Sequence, residues 1–121
     1  MEKPVRDLKQ RSYNYALDVL RYLEDLPRGY VVETLGRQLL RSATSVGANI
    51  VEGQAASSRK DFINFYTHAL KSANESKFWL NLLKDSGKDG SGNLPSILNE
   101  TGELSKILAA SIISLKGSKR L

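Results

Sequence analysis

Four stretches of this chain repeat apolar residues at alternating steps of three and four, and each needs a partner surface to cover the stripe so produced. The first reads Leu8, Ser12, Tyr15, Val19, Tyr22, Leu26 and is stopped by Pro27, which predicts a helix over about residues 5–26 and a connection through Arg28-Gly29-Tyr30. The second reads Val32, Leu35, Leu39, Ala43, Val46, Ile50 and is predicted to close at Gly53. Within it Gly36 and Gly47 each cost about 1 kcal/mol relative to alanine, which points to close helix packing or a local bend.

The third helix is predicted over 58–85, opened by Ser58 and Asp61 at capping-box spacing. Its stripe is Phe62, Tyr66, Ala69, Ala73, Ser76, Leu80 and Leu83, widened by Phe65, Trp79 and Leu82. Residues 86–93 are Gly-rich with no periodic face and predict a flexible loop. The last stripe runs Leu94, Ile97, Leu104, Leu108, Ser111, Leu115, supported by Leu98, Ile107, Ile112 and Ile113. Asn93 as cap with Pro95 in the first helical turn is one reading, and a separate turn over Pro95–Gly102 ahead of a helix over about 103–116 is the other; a frayed basic tail is predicted at 117–121.

Four such segments without a strand-like run predict an all-α, antiparallel up-and-down four-helix bundle, one domain over residues 1–121. The broad apolar faces of helices three and four point to further burial between subunits. With 40% hydrophobic and 26% charged residues, no span of membrane length and a polar start at Met1–Asp7, a cytoplasmic setting is expected.

The absence of cysteine excludes disulfides and thiolate metal sites. The single histidine, His68, lies between Thr67 and Ala69 with Asn64 and Ser72 one turn away, but no cysteine or carboxylate pair accompanies it, and it is expected at a partly exposed or interface position. The Glu-x-x-His motif of di-iron bundles is missing, and the Gly-rich loop lacks the strand and the Gly-Lys-Ser/Thr ending of a phosphate loop. No catalytic residue, metal or cofactor is predicted, and a non-enzymatic role is expected.

Helix two carries a second stripe, Gln38, Ser42, Ser45, Asn49 and Glu52, beside its apolar one. It reads either as a solvated face or as a hydrogen-bonded seam between helices or subunits. A buried Glu52 would need a cation, which Arg59 or Lys60 could supply. Arg37, Arg41, Arg59 and Lys60 make residues 34–60 locally basic, and 18 Lys and Arg against 13 Asp and Glu give a net charge of +5. Phosphate contacts through those four cations are one reading, and positive charge serving solubility alone is the other. No zinc finger, RNA-binding sheet motif or helix-turn-helix reading helix accompanies them.

The stretch Arg37–Gly53, RQLLRSATSVGANIVEG, with Ser58–Phe62 and the Leu70–Leu83 region including Glu75, resembles the proteins encoded in intervening sequences of bacterial 23S rRNA genes. The likeness covers roughly residues 8–116. It implies a four-helix bundle assembling as a ring-like homopentamer, with a basic surface directed at RNA or DNA. A related group accompanies the reverse transcriptases of diversity-generating retroelements, which implies a polymerase as a further partner. By position, Gln38, Arg41, Ser42, Ser45, Asn49, Glu52 and Gly53 match the motif, while Arg37, Arg41, Arg59 and Lys60 take the nucleic-acid contacts. The chain departs from the pattern in its longer loop at 86–93 and in Gly47, where relatives carry proline. The two functions left in competition are an oligomeric accessory protein bound to nucleic-acid phosphates and a protein-interaction module that binds none.

Overall fold

The structure is a computed structural model describing residues 8–118. Four helices follow one another: α1 (Leu8–Glu24), α2 (Tyr30–Gln54), α3 (Arg59–Asp85) and α4 (Leu94–Ser118). Each packs on its chain neighbours, α1 also meets α4, and α1 and α3 lie diagonally apart, which is the square arrangement of an up-and-down bundle. No strand occurs among the described residues.

The predicted stripes supply most of the core, with Ile63 buried in α3 where the spacing predicts Phe62 and Ile112 buried in α4 where it predicts Ser111. Leu8, Tyr15, Val19 and Tyr22 of α1 are buried with Leu39, Ala43, Val46 and Ile50 of α2. From the other side come Tyr66, Ala69, Ala73, Leu80 and Leu83 of α3 and Leu94, Ile97, Leu104, Leu108 and Ile112 of α4. Residues 5–7 of the expected first helix and 119–121 of the expected tail lie outside the described residues.

Several boundaries differ from expectation. Asp25 and Leu26 leave α1 in a tighter turn, their amides bonding to Tyr22 and Leu23 carbonyls at 3.2 Å. α2 starts at Tyr30, the last residue of the expected connection, because the Glu33 amide reaches the Gly29 carbonyl at 2.9 Å. α2 ends beside Gly53, as expected, although Gly53 is not its closing residue. The helix continues to Gln54, and Gly53 is buried where a Cβ would stand 2.8 Å from the Tyr66 ring and 3.2 Å from Phe65 Cβ, so its role is to admit α3. Gly47 likewise faces Ser12 of α1.

α3 begins as expected, with the Ser58 hydroxyl accepting from the Asp61 amide at 3.1 Å. Of the two readings of Pro95–Gly102, the one with Pro95 in the first helical turn holds, and the segment is the first two turns of α4. Pro95 sits where a helical amide has no partner to lose, and burial of Leu94, Ile97 and Thr101 outweighs the penalty at Gly102. Gly117 and Ser118 continue that helix. The 86–93 loop is docked on α1: the Tyr22 hydroxyl donates to the Asp89 carbonyl at 2.9 Å, and Gly90, at φ 65°, lies against Leu26.

At mid-height a hydroxyl from every helix enters the core. Tyr15 and Thr101 meet at 2.7 Å, and Ser42 and Ser76 at 2.8 Å. All four side chains are at most 1% exposed. Burial pushes the Tyr15 phenol up, opposed by hydrogen bonds to Thr101 and Ser76, so the two pairs form one polar layer. No buried side-chain polar atom among the described residues lacks a partner.

Candidate functional site

The polar stripe of α2 lies along α3. Ser42 bonds to Ser76 in the core, and nearer the surface the Ser72 hydroxyl donates to Ser45 Oγ at 3.0 Å. Asn49 turns back on its own helix, its amide donating to the Ser45 carbonyl at 2.9 Å and to Ser45 Oγ at 3.0 Å. Gln38 accepts from Arg41 at 2.9 Å. Glu52 is exposed, so it needs no compensating cation, and neither Arg59 nor Lys60 pairs with it. The stripe is thus a seam at Ser42 and Ser45, a local brace at Gln38 and Asn49, and a solvated end at Glu52.

Next to the seam, Arg41 forms an ion pair with Glu75 of α3, whose Oε2 also accepts the Trp79 indole N–H at 2.9 Å. Phe78 stands edge-to-face against Trp79, ring centroids 5.0 Å apart. Phe78 and Leu82 are exposed, one helical turn apart on α3. Arg37 is exposed one turn before Arg41, and Lys71 is exposed one turn before Glu75.

The four cations expected together are not together. Arg41 pairs with Glu75, with Arg37 one turn before it on α2, while Arg59 and Lys60 open α3 about 24 Å from Glu75 by helical rise. Antiparallel packing of α2 on α3 separates what the sequence places close. On α2 itself Arg37 and Arg41 are balanced by Glu33 and Glu52. A further exposed cation near the first pair is Lys71, one helical turn before Glu75 on α3. His68 is exposed on α3.

A second surface feature separates α1 from α2. Tyr13, Ala16, Gly47, Ala48 and Val51 line an open groove of about 750 Å³, with Lys9 at its rim and Tyr13 63% exposed. On the α1/α4 side Arg11 holds Glu100 through two hydrogen bonds of 2.6 and 2.9 Å, which raises the guanidinium pKa. No group of three or more His, Asp or Glu able to hold a metal occurs among the described residues, and no helix there is long and apolar enough to cross a membrane.

These features define an antiparallel four-helix bundle whose distinguishing surface is the hydroxyl-lined, cation-flanked α2/α3 face. The 23S rRNA-intervening sequence protein family matches residues 6–110, and the chain belongs to that family. A similar solved structure is that of a protein with unknown function from the S23 ribosomal protein family of Bacteroides thetaiotaomicron VPI-5482. It is 36% identical, with 86% of this chain and 96% of that one covered and a TM-score of 0.75. No curated protein matches the chain.

Proposed function

We propose that this protein is a non-enzymatic, self-assembling accessory module of the cytoplasm that holds nucleic-acid phosphates on its α2/α3 face. The observation that carries this reading is the charge arrangement there. Arg41 pairs with Glu75, which also accepts from Trp79, and two further exposed cations lie one helical turn from that pair, Arg37 on α2 and Lys71 on α3. An anionic backbone would there meet three exposed cations, opposed by Glu33 one turn from Arg37 and by a Glu75 that is already engaged, and the neighbouring seam hydroxyls offer neutral hydrogen-bonding groups. Arg59 and Lys60 form a second, separate contact at the end of the bundle.

Self-assembly is supported by the α1/α2 groove, whose small-residue floor and exposed Tyr13 and Val51 are unlike a solvated helix face. A closed ring, the homopentamer implied by the family likeness, would use such a groove head to tail. A reverse transcriptase is the polymerase partner that the same likeness implies.

Two charge-reversal variants test the nucleic-acid reading: Arg37, Arg41 and Lys71 changed to glutamate in one, Arg59 and Lys60 in the other. Structured RNA and duplex DNA are titrated at two salt concentrations. Binding should weaken with a logarithmic salt slope of about 0.7–0.9 for each phosphate contact, and the first variant should lose more of it than the second. Binding by neither parent nor variants leaves the alternative, a protein-interaction module without nucleic acid. Mass in solution tests the ring, and a strict monomer refutes it.

A further inference from the structure

We infer that the α2/α3 face takes a single-stranded stretch of nucleic acid, with Phe78 as the platform on which a base stacks and Arg37, Arg41 and Lys71 as its phosphate contacts. This rests on the nucleic-acid reading above and adds the strandedness of the ligand.

The platform is uncovered and held in place. Phe78 is 58% exposed, because its edge-to-face contact with Trp79 engages only one side of the aromatic pair. Trp79 is fixed by its indole hydrogen bond to Glu75, and Glu75 by Arg41, so the aromatic pair is anchored across two helices before any ligand arrives. Pre-ordering of this kind removes much of the entropy cost that a loose aromatic would meet on binding.

The chemistry discriminates between ligands. A duplex keeps its bases stacked inside and offers this face only phosphates, which leaves Phe78 facing water. A single strand offers both: its phosphates to the three cations and an unstacked base to the ring. Stacking of this kind tolerates any base.

Trp79 is the only tryptophan, so its fluorescence reports on this face directly. The full-length protein is titrated with an oligodeoxythymidine strand and, separately, with a blunt mixed-sequence duplex. The single strand should quench Trp79 and bind more tightly. Phe78→Ala should weaken single-strand binding about tenfold or more while changing duplex binding less than about twofold. Phe78→Leu, which keeps apolar bulk but has no aromatic face, should show the same loss.

Equal affinity for both ligands, or a Phe78→Leu variant that binds like the parent, overturns the stacking role and leaves the phosphate reading standing. A parent oligomer that Phe78→Ala converts to monomer overturns it too, since the patch is then covered by protein. If the parent binds neither ligand, both readings fall.

Discussion

Replacing Thr101 by valine tests the mid-height hydroxyl layer with almost no change in shape. The Thr101 hydroxyl donates its one proton to the Ile97 carbonyl at 2.7 Å, so at the 2.7 Å contact with Tyr15 the phenol must be the donor. Valine removes that acceptor and leaves a phenol O–H in a site where Tyr15 is 1% exposed. An orphaned buried donor costs about 1–3 kcal/mol. The Ser76 hydroxyl also acts on Tyr15, which places the expected loss in the lower part of that range, about 1–2 kcal/mol. Thr and Val have nearly equal volumes, so no cavity term is added.

Tyr15→Phe removes the donor itself, and the double variant removes both partners. The double variant should therefore be about 1 kcal/mol more stable than the sum of the single losses predicts. Urea unfolding of the four proteins at neutral pH measures the cycle. A neutral Thr101→Val, or strict additivity in the double variant, refutes the argument that the layer is coupled across α1 and α4.

Gly53→Ala should destabilise by about 1–3 kcal/mol in thermal unfolding, because the new methyl meets the Tyr66 ring at 2.8 Å and the backbone-fixed Phe65 Cβ at 3.2 Å. Ser58→Ala should cost about 1 kcal/mol through loss of the α3 cap, read in the same melts. Glu75→Gln, which breaks a largely solvent-exposed ion pair, should change stability by less than about 1 kcal/mol yet shift Trp79 emission as its indole loses a charged acceptor. Burial, with the nearby Asp89 charge, pushes the Tyr22 phenol up to about 12 from its ordinary 10.0. The unfolded chain then releases that proton first, so stability present below pH 10 should fall as pH rises from 10.0 towards about 12. Tyr22→Phe should flatten that fall, as followed by alkaline denaturation.

The core was legible because helical period alone selects it. Leu8, Ser12, Tyr15, Val19 and Tyr22 are buried as their spacing requires, Ser12 included, although a serine contributes nothing to an apolar count. Thr101 was not legible, because Pro95 and Gly102 read as breakers when taken singly. Only the burial of Ile97, Leu104 and Leu108 around them shows that packing outweighs propensity there. The seam was half legible: the spacing from Gln38 to Glu52 marks an edge, but which members cross to α3 depends on Ser72 and Ser76 arriving opposite Ser45 and Ser42.

The cation cluster was the least legible part. Proximity along the chain grouped Arg41 with Arg59, whereas helix pairing groups Arg41 with Glu75 and Lys71. Phe78 left a signal that could have been read, a large aromatic outside the α3 stripe, since such a residue exposes apolar surface on any bundle built from these helices.

The square order of the helices makes α1 and α4 neighbours as well as the first and last elements described, and Leu8 and Leu115 line the same surface cleft. A short linker from the end of α4 to the start of α1 would therefore close the chain into a circle without disturbing any helix pair. New ends could then be opened in the 86–93 loop. Such a permutant would trade the order of synthesis while keeping every interhelical contact, which makes this bundle a frame whose geometry is independent of where its chain starts.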